Sequence, residues 1–190
     1  MTTDPTLTWE QVQAATGKGV RILVVDSGIE SSHPAFEGRP IGCWIAQAGR
    51  FPARVAVIPD EKGEDVLGHG TAVGEIIHRH APEATLDSLR VLGPNKRCSS
   101  RLVLDAMRWG VENGYDVINC SFGTQQSTMN LPNGQLYNLT EGYRKAVTEA
   151  FVAGAILVSA CSNSNVRTIE YPAYYPSVVS VNYGKHEGLS

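Results

Sequence analysis

These 190 residues contain no run of lysines and arginines: sixteen basic and nineteen acidic side chains leave a net charge of −3. Nucleic acid and anionic membrane surfaces are therefore not expected partners. No apolar stretch is long enough to cross a bilayer. The opening MTTDPTLTWEQVQ has neither the positive leader nor the apolar segment of a secretory signal, so a cytoplasmic location is expected. Cysteine is sparse. Cys43, Cys98, Cys120 and Cys161 lie far apart with no CxxC pair, which excludes a zinc knuckle or a dithiol redox motif and favours free thiols over disulfides. No repeat, low-complexity tract or linker divides the chain. The 42% hydrophobic and 18% charged content is that of a folded globular protein, and the length suits one domain.

What the chain does contain is an alternation of short β-branched runs with helical patterns. The runs fall at residues 20–25 (VRILVV), 54–58 (RVAVI), 86–92 (LDSLRVL), 116–120 (DVINC), 155–160 (AILVSA) and 177–181 (SVVSV). Most are too short and too evenly apolar for surface helices and suit strands covered on both faces. Residues 101–113 place Leu102, Ala106, Met107 and Gly110 at helical spacing after Ser99 and Ser100, with Gly114 as the stop. A capping box is expected from Asn138 to Glu141, ahead of a helix whose apolar face is Tyr143, Ala146, Val147, Ala150 and Phe151. Residues 123–138 read as a surface loop. The expected fold is α/β: a predominantly parallel sheet with helices on both faces.

Four segments could carry chemistry. VRILVV runs straight into Asp26, a carboxylate at the carboxyl end of a strand, where open α/β sheets place their sites. Such an acid can equally cap a helix, hold a ribose or ligate a metal. His69 stands between Gly68 and Gly70 at the start of a helix, where backbone or substrate can approach the imidazole closely. It reads as a general base or as a packing residue. His78 and His80, two residues apart, make a poor metal pair and are expected in solvent, as are His33 and His186. After the strand at 116–120, Ser121, Phe122 and Gly123 leave a backbone edge able to pair with an extended peptide. After the strand at 155–160, Asn163 can donate its amide to an oxyanion or stabilise a turn.

Taken together and in this order, the segments resemble the subtilisin-like serine proteases, the subtilases. GKGVRILVVDSGIESSHPAF resembles that family's aspartate segment, GHGTAVGEII its histidine segment, DVINCSFG its substrate-binding strand, and AGAILVSACSNSN with YPAYYPSVVSV its oxyanion segment. The resemblance covers residues 8–181. It implies that Asp26 orients His69, that His69 takes the proton of a serine hydroxyl, and that Asn163 stabilises the tetrahedral oxyanion. It further implies that Ser121, Phe122 and Gly123 line one wall of the primary specificity pocket and Ala160, Cys161 and Ser162 the other. Substrates would be peptides or proteins, with a small or apolar side chain favoured by Ala160, Cys161 and Phe122.

The chain also departs from the family. No Gly-Thr-Ser segment bearing a nucleophile occurs up to Ser190, and Thr124 and Ser127 fall in the wrong segment. A base, its orienting acid and an oxyanion donor form no acyl-enzyme without that serine. The expectation is therefore a peptidase domain lacking its C-terminal part, inactive by itself. The alternatives are a split enzyme completed by a partner chain and a noncatalytic peptide-binding module. Glu75 replaces a usual glycine and Ala72 a frequent histidine in the histidine helix, and Ser162 stands where glycine is usual. That helix runs directly into Ala81-Pro82, without the loop that helps bind calcium in many secreted relatives, so no metal or other cofactor is expected.

Overall fold

The computed structural model describes residues 8–47, 55–95, 97–131, 134–161 and 168–182. Nine strands follow one another along these residues. They are β1 (Arg21–Asp26), β2 (Gly42–Gln47), β3 (Ala56–Pro59), β4 (Thr85–Arg90), β5 (Val117–Cys120), β6 (Thr128–Asn130), β7 (Leu136–Asn138), β8 (Ile156–Ala160) and β9 (Val178–Val181). The helices are α1 (Trp9–Gln13), α2 (His69–His80), α3 (Ser100–Glu112) and α4 (Leu139–Val152). Seven strands form one sheet in the order β3-β2-β4-β1-β5-β8-β9, and β6 and β7 form a separate hairpin. All neighbours in the large sheet are parallel except β2 and β3.

The sheet is mostly parallel because its strands are joined by helical crossovers, which the apolar runs and the helix signals anticipate. β1 lies at its centre, with Leu23, Val24 and Val25 completely buried. Alternation along the strands separates two cores. On one face Leu23, Val25, Leu89, Ile118 and Leu157 pack with α3 and α4 through Leu104, Met107, Tyr143 and Val147. On the other, Ile22, Val24 and Leu86 pack with Ile29, Phe36 and, from α2, Val73 and Ile77. Helices therefore cover both faces. The second cover is partial. α2 lies over β1 and β4, while Ile156, Val179 and Val181, on the same face over β8 and β9, are each about half exposed.

The helix signals have local physical causes. Ser99 accepts the amide of Leu102 at 3.1 Å and starts α3. Asn138 accepts the amide of Glu141 at 3.0 Å and starts α4. The return half of the expected capping box is absent, because the Glu141 carboxylate is taken by Arg144 at 2.6 and 2.8 Å. A complete box occurs instead at α1, between Thr8 and Gln11.

Three local expectations are revised. The run at 54–58 does give β3, but as an antiparallel edge strand on β2, a strand that the sequence pattern did not reveal. Residues 123–138 carry the β6–β7 hairpin where a loop was expected. The strands at 86–92 and 116–120 begin or end one or two residues from their expected limits.

Candidate active site

The chain leaves β1 toward one edge of the sheet, through β2 and β4, and continues from β5 toward the other. A crevice therefore opens at the carboxyl ends of β1 and β5, where the direction of winding reverses. Asp26 ends β1 and is wholly buried; His69 begins α2 with its side chain 52% exposed. The imidazole Nδ1 lies 2.8 Å from Asp26 Oδ1. A carboxylate only accepts, so Nδ1 carries the hydrogen and the lone pair of the neutral ring resides on Nε2. Asp26 Oδ1 also accepts the Ser27 amide at 2.7 Å, while Oδ2 is buried without a hydrogen-bond partner among the described residues.

Two bare backbones make this approach possible. Gly28 has φ +106°, and a side-chain carbon there would stand 2.1 Å from the Glu64 carbonyl oxygen. At Gly70 it would stand 2.0 Å from the Gly28 carbonyl oxygen and 3.2 Å from the Asp26 Cβ. The end of β1 and the first turn of α2 thus touch at distances that admit no Cβ.

A second carboxylate organises the same turn. Gly68 is the N-cap of α2 and has no side chain to bind the free amides of the first turn. Asp65 does so from outside the helix: it accepts the amides of Leu67 (3.0 Å), Gly68 (2.9 Å) and Thr71 (2.8 Å) and the hydroxyls of Ser27 (2.7 Å) and Thr71 (2.6 Å). Ser27 Oγ in turn accepts the Gly70 amide at 3.1 Å, closing a bridge between β1 and α2 around the Asp26–His69 pair. Neither Ser27 nor Asp65 was singled out from the sequence. The available signal was a helix starting at Gly-His-Gly with no capping side chain of its own, which requires an acceptor from nearby.

Partial burial pushes the Asp65 carboxyl up, but the hydrogen bonds from Thr71, Leu67 and Ser27 together outweigh it and hold the pKa below its ordinary value. A depressed folded-state pKa stabilises the fold fully above the ordinary value of about 3.9, and the contribution fades as pH falls through the folded-state value. Asp65→Ala is expected to lower the unfolding free energy by about 3 kcal/mol at pH 7, since it strands several buried donors. Asp65→Asn should lose less stability than the parent protein between pH 5 and acid pH. Urea midpoints at several pH values measure both.

The remaining residues of interest form a groove beside this pair. Ser121, Phe122 and Gly123 follow β5, and Ala160 ends and Cys161 follows β8, which pairs with β5 in parallel. Ser159 Oγ donates to the Phe122 carbonyl at 3.2 Å and ties the two walls together. Ser162 and Asn163 lie outside the described residues, as does Ser190. A cavity of about 410 Å³ is lined by Leu67, Gly68, His69, Leu92 and Ser121. Another, of about 350 Å³, continues along the groove past Leu92, Val103, Phe122, Gly123 and Tyr143. Both have the size of small-ligand pockets.

The other reactive types are placed elsewhere. Burial raises the Cys120 thiol to about 12, with Asp26 and Cys98 adding to the effect, and burial raises Cys98 to about 11. Both are neutral thiols at pH 7 and unsuited to nucleophilic attack. His78, expected in solvent, packs near the Phe36 ring and accepts from Arg39 Nη1. His80 is exposed, and His33 accepts the Ala35 amide at a 3₁₀ turn, Pro34–Phe36. Among the described residues no three His, Cys, Asp or Glu side chains are grouped to hold a metal ion, and no helix is long and apolar enough to cross a membrane.

A buried aspartate holding a histidine at a sheet crevice, beside a groove with an open strand end, is an arrangement of hydrolytic enzymes. Residues 17–188 match the Subtilase family, and the chain belongs to it. It is 29% identical over 180 residues to Subtilisin E of Bacillus subtilis (strain 168), covering 89% of this chain and 42% of that protein. To Thermitase of Thermoactinomyces vulgaris it is 28% identical over 177 residues, covering 88% and 56%. Among solved structures, a lanthipeptide protease superposes with a TM-score of 0.67 at 24% identity, covering 90% of this chain and 51% of that one. A cold adapted subtilisin-like serine proteinase gives 0.60 at 24% identity, covering 88% and 55%. These two similarities bear on the fold. The chain spans about half the length of the relatives it matches.

Proposed function

We propose that this chain supplies the base, the orienting acid and the substrate groove of a subtilisin-like serine endopeptidase. The observation that carries the reading is the 2.8 Å contact between buried Asp26 and half-exposed His69 at the mouth of the groove. In this reading His69 Nε2 takes the hydroxyl proton of a serine as that oxygen attacks the scissile carbonyl, then returns it to the leaving amine. Asp26 keeps Nδ1 protonated and stabilises the imidazolium that forms. The extended substrate pairs with the backbone of Ser121–Gly123, a role that needs the open strand end seen after β5. Asn163 donates its amide to the oxyanion; this assignment rests on the resemblance of AGAILVSACSNSN to the family's oxyanion segment.

The serine belongs to sequence outside residues 1–190. The half-bare sheet face over β8 and β9, with Ile156, Val179 and Val181 uncovered beside α2, supports further protein packing there. A fluorophosphonate probe applied to the native gene product, followed by intact mass and peptide mapping, tests the reading. The expected result is one labelled serine downstream in the same polypeptide, with labelling abolished by His69→Ala. A label on a second polypeptide would establish a split enzyme. A folded product that takes up no label would mark a peptide-binding module and defeat the reading.

A further inference from the structure

Glu170 has no part in the mechanism above, yet its carboxylate lies against the Gly123 wall of the groove. The cause is a backbone bridge. Thr124 and Tyr171 exchange amide hydrogen bonds of 3.0 and 2.8 Å in antiparallel pairing, which sets Glu170 opposite Gln125 and brings it alongside Gly123. A side-chain carbon on Gly123 would stand 3.1 Å from Glu170 Oε2 and 3.3 Å from the Ala160 carbonyl oxygen. The carboxylate and the Ala160 carbonyl of the second wall therefore both lie close to Gly123 of the first. Oε1 accepts from the neutral amide of Gln125 at 3.1 Å, and among the described residues no lysine or arginine forms an ion pair with Glu170.

We infer that Glu170 closes the primary specificity pocket and selects arginine or lysine on the acyl side of the scissile bond; the inference rests on the peptidase reading. Gly123 carries no side chain and Ala160 and Cys161 carry short ones, so a long substrate side chain would reach the carboxylate past small groups. The carboxylate decides its chemistry. A leucine seated there strips water from Glu170 and gives nothing in return, whereas a guanidinium or ammonium returns a charge-assisted hydrogen bond. This replaces the apolar preference expected from Ala160, Cys161 and Phe122.

The test uses the full-length native gene product and peptide p-nitroanilides that differ only in the residue before the scissile bond: Arg, Lys, Leu or Glu. Arg and Lys should exceed Leu in kcat/KM by about tenfold or more, and Glu170→Gln should shrink the Arg-to-Leu ratio by about ten- to a hundredfold. Glu170→Lys should begin to cleave after Glu, a gain that misfolding cannot produce. A protein that takes the fluorophosphonate label but prefers Leu, or keeps its Arg-to-Leu ratio in Glu170→Gln, overturns the pocket assignment alone. One that neither labels nor cleaves any of the four overturns the peptidase reading, and this inference with it.

Discussion

In the native gene product, His69→Ala is expected to lower kcat for peptide hydrolysis by about 10⁶-fold and Asp26→Ala by about 10⁴-fold, with KM little changed. The double variant should be no slower than His69→Ala alone. These sizes are carried over from subtilisin, a relative of this chain; the geometry supplies their order. His69 is the group that would move the proton, so removing it removes the step. In the proposed mechanism Asp26 would act only through His69, by a single contact at Oδ1, so once His69 is gone its loss should cost the reaction nothing further. Asp26→Asn is the finer probe. The oxygen that accepts from His69 also accepts from the Ser27 amide, so the carbonyl of the substituted amide can retain both bonds; the change removes the charge and puts an amide NH2 where Oδ2 is buried without a partner among the described residues. Single-turnover rates for the parent protein and these variants, with unfolding midpoints to establish that each is folded, decide the matter. A loss of less than tenfold in Asp26→Ala would remove Asp26 from the orienting role.

Gly70→Ala is expected to destabilise the protein by about 3–5 kcal/mol, at the far end of what single substitutions do. The added methyl would lie 2.0 Å from the Gly28 carbonyl oxygen, and both partners are backbone, so no side chain can swing aside. Relief requires the first turn of α2 to move off the end of β1. That movement lengthens the Asp26–His69 contact, so kcat should fall together with stability. Gly38→Ala serves as the comparison. Gly38, unlike Gly70, has a positive φ, at +75°, and a side chain there meets nothing within 4 Å, so only the conformational cost of about 1 kcal/mol applies. Denaturant midpoints of the two variants, read beside their turnover, separate crowding from strain. Equal midpoints would refute the interlocking of β1 with α2.

The central strands were legible because each is an apolar β-branched run with its own turn signals, and β1, β4, β5 and β8 lie within a residue or two of where the pattern puts them. β2 was not legible. Its sequence GCWIAQ is only partly buried, and its place beside β4 depends on a loop excursion rather than on alternation. The β6 and β7 strands have three residues each, too few for a period of two to show. In the site, Asp26 and His69 could be read because strand end and helix start each leave a local mark. Asp65 and Glu170 could not: the first is defined by five donors drawn from three segments, the second by a bridge between residues 124 and 171. Contacts of that kind exist only after folding.

The central position of β1 sets the order in which this protein can come into being. Arg21 pairs with Thr85 on one side, and Ile22 with Val117 on the other. At ordinary translation speeds the apolar strand bearing Asp26 emerges roughly 5 to 20 s before the second of its neighbours exists. Throughout that interval it is an unpaired hydrophobic edge, the kind of segment that chaperones hold and that aggregates recruit. Both members of the Asp26–His69 pair, 43 residues apart, are synthesised before β5, but the pair has no rigid floor until β5 docks. A circular permutant that delivers β4 and β5 ahead of β1 would give the nascent strand a finished template, turning the slowest pairing of the sheet into its last and quickest.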